Sequence, residues 1–149
     1  MKEITIKPIG YAKSKIKEQQ FGGFKENITE IILNKDYTEA LEGLQDYSHI
    51  IVIYWMNEAE GIVKLKHKPQ GNPKVPELGI FATRCQWRPN CIGTSIVKLI
   101  SIKNNILKVK GLDIIDNTPI LDIKPYLPDY DKPEGKINLP EWTKELIYK

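Results

Sequence analysis

The sequence predicts an all-β fold, a small closed β-barrel of about seven strands with short peripheral helices, on three observations. Short segments alternate apolar and polar residues with the two-residue period of a half-buried strand, Ile4 to Ile9 being the first. The most apolar run, HIIVIYWM from His49 to Met56, is rich in β-branched and aromatic residues and too short for an ordinary long helix. Two further runs, Ile92 to Ile102 and Ile106 to Lys110, are joined through Lys103-Asn104-Asn105, a good hairpin turn. Closing the sheet into a barrel removes its exposed edges.

In chain order, Ile4 to Ile9 is the first strand, and Gly10 to Ser14 continues or restarts it. Glu18 to Lys25 is a loop around Gly22-Gly23. Ile28 to Leu33 is a strand. Asp36 to Leu44 is a short helix, with Asp36 as N-cap and Glu39 completing a capping box. His49 to Met56 is a central strand, and His49 at its start reads as a structural hydrogen-bonding histidine rather than a base. Lys64 to Lys68 is another strand. Pro69 to Leu78, with its prolines and a glycine, is a mobile surface loop. Gly79-Ile80-Phe81-Ala82 reads as the end of a buried strand, and Pro89-Asn90 as a turn. Gly93 lets the backbone pass close to a neighbour. Leu112 to Asp116 is a tight acidic turn, Ile120 to Pro125 the last main strand, and Leu127 to Gly135 a Pro/Asp-rich connection. Leu139 to Tyr148 forms a short helix with Pro140 in its first turn.

The length of 149 residues fits one domain, 1–149, in which 127–149 is a C-terminal extension carrying that short helix. The net charge of +3 permits a polyanionic partner such as RNA without requiring one. No apolar run is long enough to span a membrane, and MKEITIKPIG has no signal-peptide core, so the expected setting is the cytoplasm. Cys85 and Cys91 form no C-x-x-C pair, and His49 and His67 lie far off, so no metal site is expected. The two thiols read as small, partly buried side chains.

The stretch from Gly79 to Ser95, GIFATRCQWRPNCIGTS, stands apart. Of the 22 Lys and Arg residues only two are arginines, Arg84 and Arg88, and both fall here. Arg offers a planar fork for carboxylate or phosphate and a flat face for stacking, which Lys does not. The stretch therefore points to recognition of an anionic or planar ligand; two solvated arginines in a loop are the plainer alternative.

FATRCQWRPNCIGTS also resembles the signature F-A-T-R-S-x-x-R-P-N-P-I-G-x-S of the TsaA-like family, whose characterised members are the TrmO tRNA methyltransferases. LDIIDNTPILDIKPY, from Leu112 to Tyr126, resembles that family's L-D-x-x-D-G-T-P-x-x-D-I-K-P-Y, and GLQDYSH, from Gly43 to His49, its G-L-x-x-[FY]-S-H. Order and spacing of the blocks fit as well. The chain departs from the pattern at Cys85, Cys91 and Asn117, where Ser, Pro and Gly are usual; Asn still tolerates a left-handed turn. The longer bacterial members carry a C-terminal domain with no counterpart in these residues.

The resemblance implies the β-barrel class of S-adenosylmethionine-dependent methyltransferases, acting as homodimers with the donor near the subunit interface. By family pattern the donor-binding positions are Met56, Asn57, Arg84, Thr94, Gly111, Leu112 and Asp113, with Met56 packing on the donor and Arg84 holding a carboxylate. The family's early region adds a Pro-Arg-Gln segment to that site. Glu18 to Lys25 lacks it, so contacts from Gln19, Gln20 or Phe21 have no motif behind them. No G-x-G-x-x-G is present, so a Rossmann-type donor site is not supported.

The acceptor implied is the anticodon loop of a tRNA, methylated on the exocyclic nitrogen of a threonylcarbamoyl-adenosine. That nitrogen is a poor nucleophile, and a carboxylate taking its proton would help. Asp113, Asp116 and Asp122 are the candidates. Asp116-Asn117-Thr118-Pro119 is equally well a plain turn. The modified base carries its own carboxylate, which Arg88 or Lys124 would pair with. Asn90 belongs to the same substrate-binding group. Trp87 and Tyr126 are candidates for stacking on splayed bases, with a core role open for Tyr126. Two other functions remain: a non-catalytic donor-binding regulator, and a methyltransferase for a small molecule.

Overall fold

The computed structural model describes residues 1–148. Six antiparallel strands close a barrel in the order β1-β2-β7-β6-β3-β8, and a two-stranded β4–β5 ribbon stands beside it. The strands are β1 Gly10–Lys13, β2 Ile28–Leu33, β3 His49–Trp55, β4 Lys66–His67, β5 Leu78–Gly79, β6 Ile92–Lys103, β7 Ile106–Lys110 and β8 Pro119–Pro125. The barrel is an all-β fold as expected, one strand short of the expected number. Closure is made by the first and last strands, where Gly10 pairs with Ile120 and Tyr11 with Pro119.

The alternation along each strand sorts its side chains. Ile50, Val52 and Tyr54 of β3 point inward and meet Ala12, Ile31, Leu33, Val97, Leu99, Leu107, Val109 and Ile120 from the other strands. Leu112 and Ile114, in the connection after β7, are also buried, and they plug one end of the barrel. The segment expected as a tight acidic turn is thus partly core.

Several expectations are corrected. Residues 4–9 alternate but form no strand: pairing begins only where the Ile9 N–H reaches the Ile120 carbonyl, and Ile4 and Ile6 are exposed. Alternation without a partner strand does not hold an extended chain. The helix expected at 36–44 is a 3-10 helix over Lys35–Leu41, and its cap is Asn34, whose side-chain oxygen accepts from the Asp36 N–H at 3.1 Å. The strand expected at 64–68 shortens to Lys66–His67. Ile80–Ala82 is a 3-10 turn rather than a strand end; Ile80 is buried but Phe81 is exposed. The segment 69–78 is not wholly a surface loop, since Pro69 and Val75 are buried. The helix expected at 139–148 is a 3-10 turn over Glu141–Glu145 with Pro140 as its cap residue.

The β6–β7 hairpin turns at Asn104-Asn105, with Asn104 at φ 53°. Asn105 has a second use: its side-chain amide donates to the Leu33 carbonyl at 2.6 Å and ties the turn to β2. Beyond β8, one helical turn, α1 Pro128–Asp131, leads into the C-terminal segment. That segment is pinned to the loop before β5. The Gln70 amide donates to the Ile147 carbonyl at 2.8 Å and accepts from its N–H at 2.9 Å, while Asn72 donates to the Glu145 carbonyl at 2.9 Å.

Candidate functional site

One end of the barrel gathers most of the expected residues. β3 ends there at Trp55, β6 begins there at Ile92, and the connection between β7 and β8 crosses it. Tyr54 is the pivot. It sits at the end of an aliphatic inward row and carries a hydroxyl, which a buried aromatic must satisfy. That hydroxyl donates to the Asp113 carbonyl at 3.1 Å and lies 3.3 Å from Ser95 Oγ. Burial pushes the Tyr54 phenol upward, with the Ser95 hydrogen bond opposing and the Arg84 charge opposing further. Gly93 faces the ring so closely that a Cβ there would lie 2.3 Å from Tyr54 Cε2. The close approach expected at Gly93 is therefore to this ring.

Arg84 reaches the same end. Its Nη2 donates to the Thr94 carbonyl at 3.0 Å, while the side chain remains exposed. Met56 is half-buried against the core and its N–H donates to the Cys91 carbonyl at 2.8 Å; Asn57 follows in a short turn. Gly111 takes φ 88°, a left-handed angle that suits glycine, and turns the chain so that Leu112 enters the core. Asp113, between buried Leu112 and Ile114, points outward at the rim.

The three candidate bases differ sharply. Asp116 accepts from the Ser14 N–H at 2.8 Å and from Lys17 Nζ, and the Lys17 bond, then the Ser14 bond, hold its carboxyl below the ordinary carboxylate range. It staples the chain after β1 to the β7–β8 connection, within the turn at Asp116-Asn117 that the sequence also allowed. Asp122 is paired with Lys124 Nζ at 2.7 Å. The Asp113 carboxyl has no hydrogen bond or ion pair among the described residues, and desolvation pushes its pKa up. The residue retains contact with solvent, and water at the rim moderates that push.

Arg88 folds back on its own loop. Its Nη1 donates to the Thr83 and Cys85 carbonyls at 3.1 and 3.0 Å, so this fork braces the stretch it belongs to. Asn90 lies exposed in the turn below it, followed by Cys91 at φ 50°. Cys91 is buried, its thiol donating to the Ala59 and Arg88 carbonyls, and burial pushes its pKa up. Trp87 is covered: Lys64 Nζ sits 3.7 Å from its ring centroid and His67 meets it edge-on at 4.7 Å. The Lys64 ammonium thus occupies a position over the ring that a stacked base would need.

Thr94, Asp122 and Lys124 lie elsewhere. Thr94 pairs with Ile53, and Asp122 also pairs with Ile53, so all three side chains face outward on the barrel wall; Lys124 joins them opposite Ile51. A bulge at Leu121 sets this parity by letting Ile120 turn inward beside Tyr54. Tyr126, half-buried, follows at the far end of β8, its N–H on the His49 carbonyl. His49 itself is exposed, with Nδ1 2.8 Å from Ser48 Oγ.

Two glutamines, one of them in the early loop named above, complete the rim. Gln86 donates to Gln19 Oε1 at 3.0 Å, joining the early loop to the arginine loop. Lys15 to Gln20 and Asn27 line an open groove of about 420 Å3 beside it. No motif marked these glutamines; only the fold brings them there. Ser95 closes the quoted signature, whereas Tyr54 was hidden inside a strand, though a tyrosine ending an aliphatic row is a signal in itself.

The family model described as the tRNA-methyltransferase O N-terminal domain matches residues 11–132. This chain belongs to the tRNA-methyltransferase O family. An S-adenosyl-L-methionine-binding protein of Archaeoglobus fulgidus is 39% identical over 132 residues, 86% of this chain and 93% of that one. A mouse tRNA (adenine(37)-N6)-methyltransferase is 38% identical over 98 residues, 64% of this chain but 22% of its own length. The crystal structure of TrmO from Pseudomonas aeruginosa superposes with a TM-score of 0.74 at 32% identity, over 92% of this chain and 62% of that chain. The family member described here thus spans less than two thirds of that solved TrmO chain. Among the described residues no helix is long and apolar enough to cross a membrane.

Proposed function

We propose that this family member transfers a methyl group from S-adenosylmethionine to tRNA, at the exocyclic nitrogen of a threonylcarbamoyl-adenosine beside the anticodon. The observation that carries the reading is the convergence of Arg84, Tyr54 and Asp113 at one barrel rim in a chain of this family. The half-buried Met56 suits the donor's apolar thioether-like portion. The exposed guanidinium of Arg84 suits the donor's carboxylate. When bound, the donor supplies an electrophilic methyl group.

Asp113 is the residue best suited to take the proton that the nitrogen loses. A general base needs a free lone pair: Asp113 is unpaired and desolvation raises its pKa, whereas Asp116 is held low by Lys17 and Ser14 and Asp122 is paired with Lys124. Tyr54 holds the Asp113 main chain in place. Arg88 keeps Nη1 on its own loop, which leaves its other donors, with the exposed Asn90, for the acceptor's carboxylate.

Lys124, Asp122 and Thr94 join the site through a second copy of the chain. They share the outer wall of β3, β6 and β8 with Ile51, Ile53 and the exposed Ile92 and Ile96, an aliphatic face suited to self-association. In a dimer across this wall Lys124, opposite Ile51, would lie within the contact. Sedimentation should show a dimer, and Ile96→Lys should convert it to monomer; a wild-type monomer with donor bound would sink the dimer.

The deciding experiment is methyl transfer to tRNA with and without the threonylcarbamoyl group, followed by nucleoside mass spectrometry. Loss of a charge-assisted hydrogen bond to the missing carboxylate should weaken the unmodified acceptor by about ten- to a hundredfold. Equal methylation of both removes the proposed acceptor. Donor binding without transfer to any tRNA leaves a regulator, and transfer to metabolites alone leaves a small-molecule enzyme.

A further inference from the structure

We infer that the β4–β5 ribbon and the turn after it form a second RNA-contacting surface, on which Phe81 stacks against an unpaired base, Leu65 packs beside it, and Lys66 and Lys68 meet the neighbouring phosphates. The inference rests on the tRNA reading above and names where that partner is gripped. Phe81 is 78% exposed and Leu65 79% exposed. They are brought together because the Ile80 N–H donates to the Leu65 carbonyl at 2.9 Å, while the buried Ile80 side chain anchors the turn that lifts Phe81 into solvent. Ile62 and Val63, just before Leu65 in the chain, are exposed as well.

The ribbon divides its lysines. Lys64 lies over Trp87 and Lys74 pairs with Glu145. Lys66 and Lys68 have no ion pair among the described residues. The ribbon is fixed relative to the rim: the Lys64 N–H donates to the Trp87 carbonyl at 3.0 Å, and His67 packs edge-on against the Trp87 ring. Phe81 stands three residues before Arg84 in the same loop, with the Thr83 N–H closing the turn onto the Ile80 carbonyl. An exposed aromatic flanked by free cations beside an acceptor site is the composition that binds single-stranded nucleic acid. The outer barrel wall, aliphatic and aromatic-poor at its centre, has the composition of a protein contact instead. Lys64 already lies over the Trp87 ring, and Phe81, 78% exposed, is the aromatic in the Gly79–Ser95 stretch that stands clear of such a contact.

The test uses the full chain and a fluorescein-labelled anticodon stem-loop RNA, read by anisotropy without donor. Phe81→Ala should weaken binding by about 5- to 150-fold, the range expected for one lost base stack, and Phe81→Trp should restore it. Lys66→Ala and Lys68→Ala should each lower the slope of log affinity against log salt by about 0.7. Donor affinity by calorimetry and the sedimentation coefficient should stay at wild-type values in all of them. Unchanged RNA affinity in Phe81→Ala overturns the inference. So does loss of self-association in that variant, which would make the ribbon a protein interface, and so does a wild-type chain that binds no RNA. Because binding is read without turnover, a chain that binds the RNA through Phe81 yet methylates nothing overturns only the proposed reaction.

Discussion

The Tyr54 hydroxyl and the Asp113 carbonyl, 59 positions apart in sequence, meet at 3.1 Å. This bond joins the end of a core strand to the loop that carries the proposed base. Tyr54→Phe should therefore lower stability by about 1 kcal/mol, the usual net worth of such a bond. Methyl transfer should fall by a larger factor, because Asp113 loses its fixed position. Urea denaturation and single-turnover assays on the same preparation separate the two.

Gly93 and Tyr54 should behave as a coupled pair. Gly93→Ala drives a Cβ against the ring edge and should cost about 1–3 kcal/mol, as overpacking does. Adding Tyr54→Leu, which removes the obstructing ring edge, should make the double variant less destabilised than the sum of the single changes. A double-mutant cycle by denaturation measures it; strict additivity would show that the close approach is relieved elsewhere.

Arg84→Lys should harm turnover or donor affinity while leaving the melt near wild type. The side chain is exposed, so the core loses nothing. Lys keeps the charge but loses the fork that serves the Thr94 carbonyl and a ligand at once. The expected loss is about 1–3 kcal/mol in transition-state or donor binding. Near-normal methylation by this variant would reduce Arg84 to a general surface cation.

The carboxylates predict opposite pH effects. Asp116 is depressed in the folded state, chiefly by Lys17 and then by the Ser14 N–H. Its contribution to stability is therefore present above the unfolded carboxylate value and is lost as pH falls through the folded value. Asp116→Asn should be less stable than wild type at neutral pH, the gap closing in acid. Asp113 is raised by desolvation, so its ionised form opposes folding above the folded value, and Asp113→Asn should gain slightly at neutral pH. If Asp113 is the base, the acid limb of kcat/KM should lie above the ordinary carboxylate range and vanish in Asp113→Asn.

Donor binding should be indifferent to metal. Among the described residues no group of three or more His, Cys, Asp and Glu side chains is arranged to hold an ion. Calorimetry after chelation should give the untreated affinity; loss restored by zinc would contradict this.

The strands legible in the sequence were those whose partners also lay in regular runs. β2, β3, β6, β7 and β8 all follow from alternation or β-branched content, because each buries a continuous inner row. Residues 4–9 alternate equally well and form no strand, since the deciding factor is a neighbour that local sequence does not name. At the site, the arginines, the glycine and the acidic block were visible as unusual composition. What they touch was not: Arg88 turns inward to its own loop, Trp87 is taken by Lys64, and Asp116 by Ser14 and Lys17. Those partners are set by chain crossings of up to 102 residues, beyond the reach of any local pattern.

Barrel closure by the two ends of the fold has a bearing on how the protein is made. Gly10 waits for Ile120, so no nascent chain can seal the sheet until the ribosome has delivered almost the whole domain. Until then β1 and β3 each present an unpaired edge, the condition in which growing chains associate wrongly. The rim inherits the same timing, because Asp116 cannot capture Ser14, nor Asp113 receive Tyr54, before that moment. Binding competence should therefore arrive late and all at once in synthesis, and a chain stalled before β8 should be a client for chaperones rather than a partial enzyme.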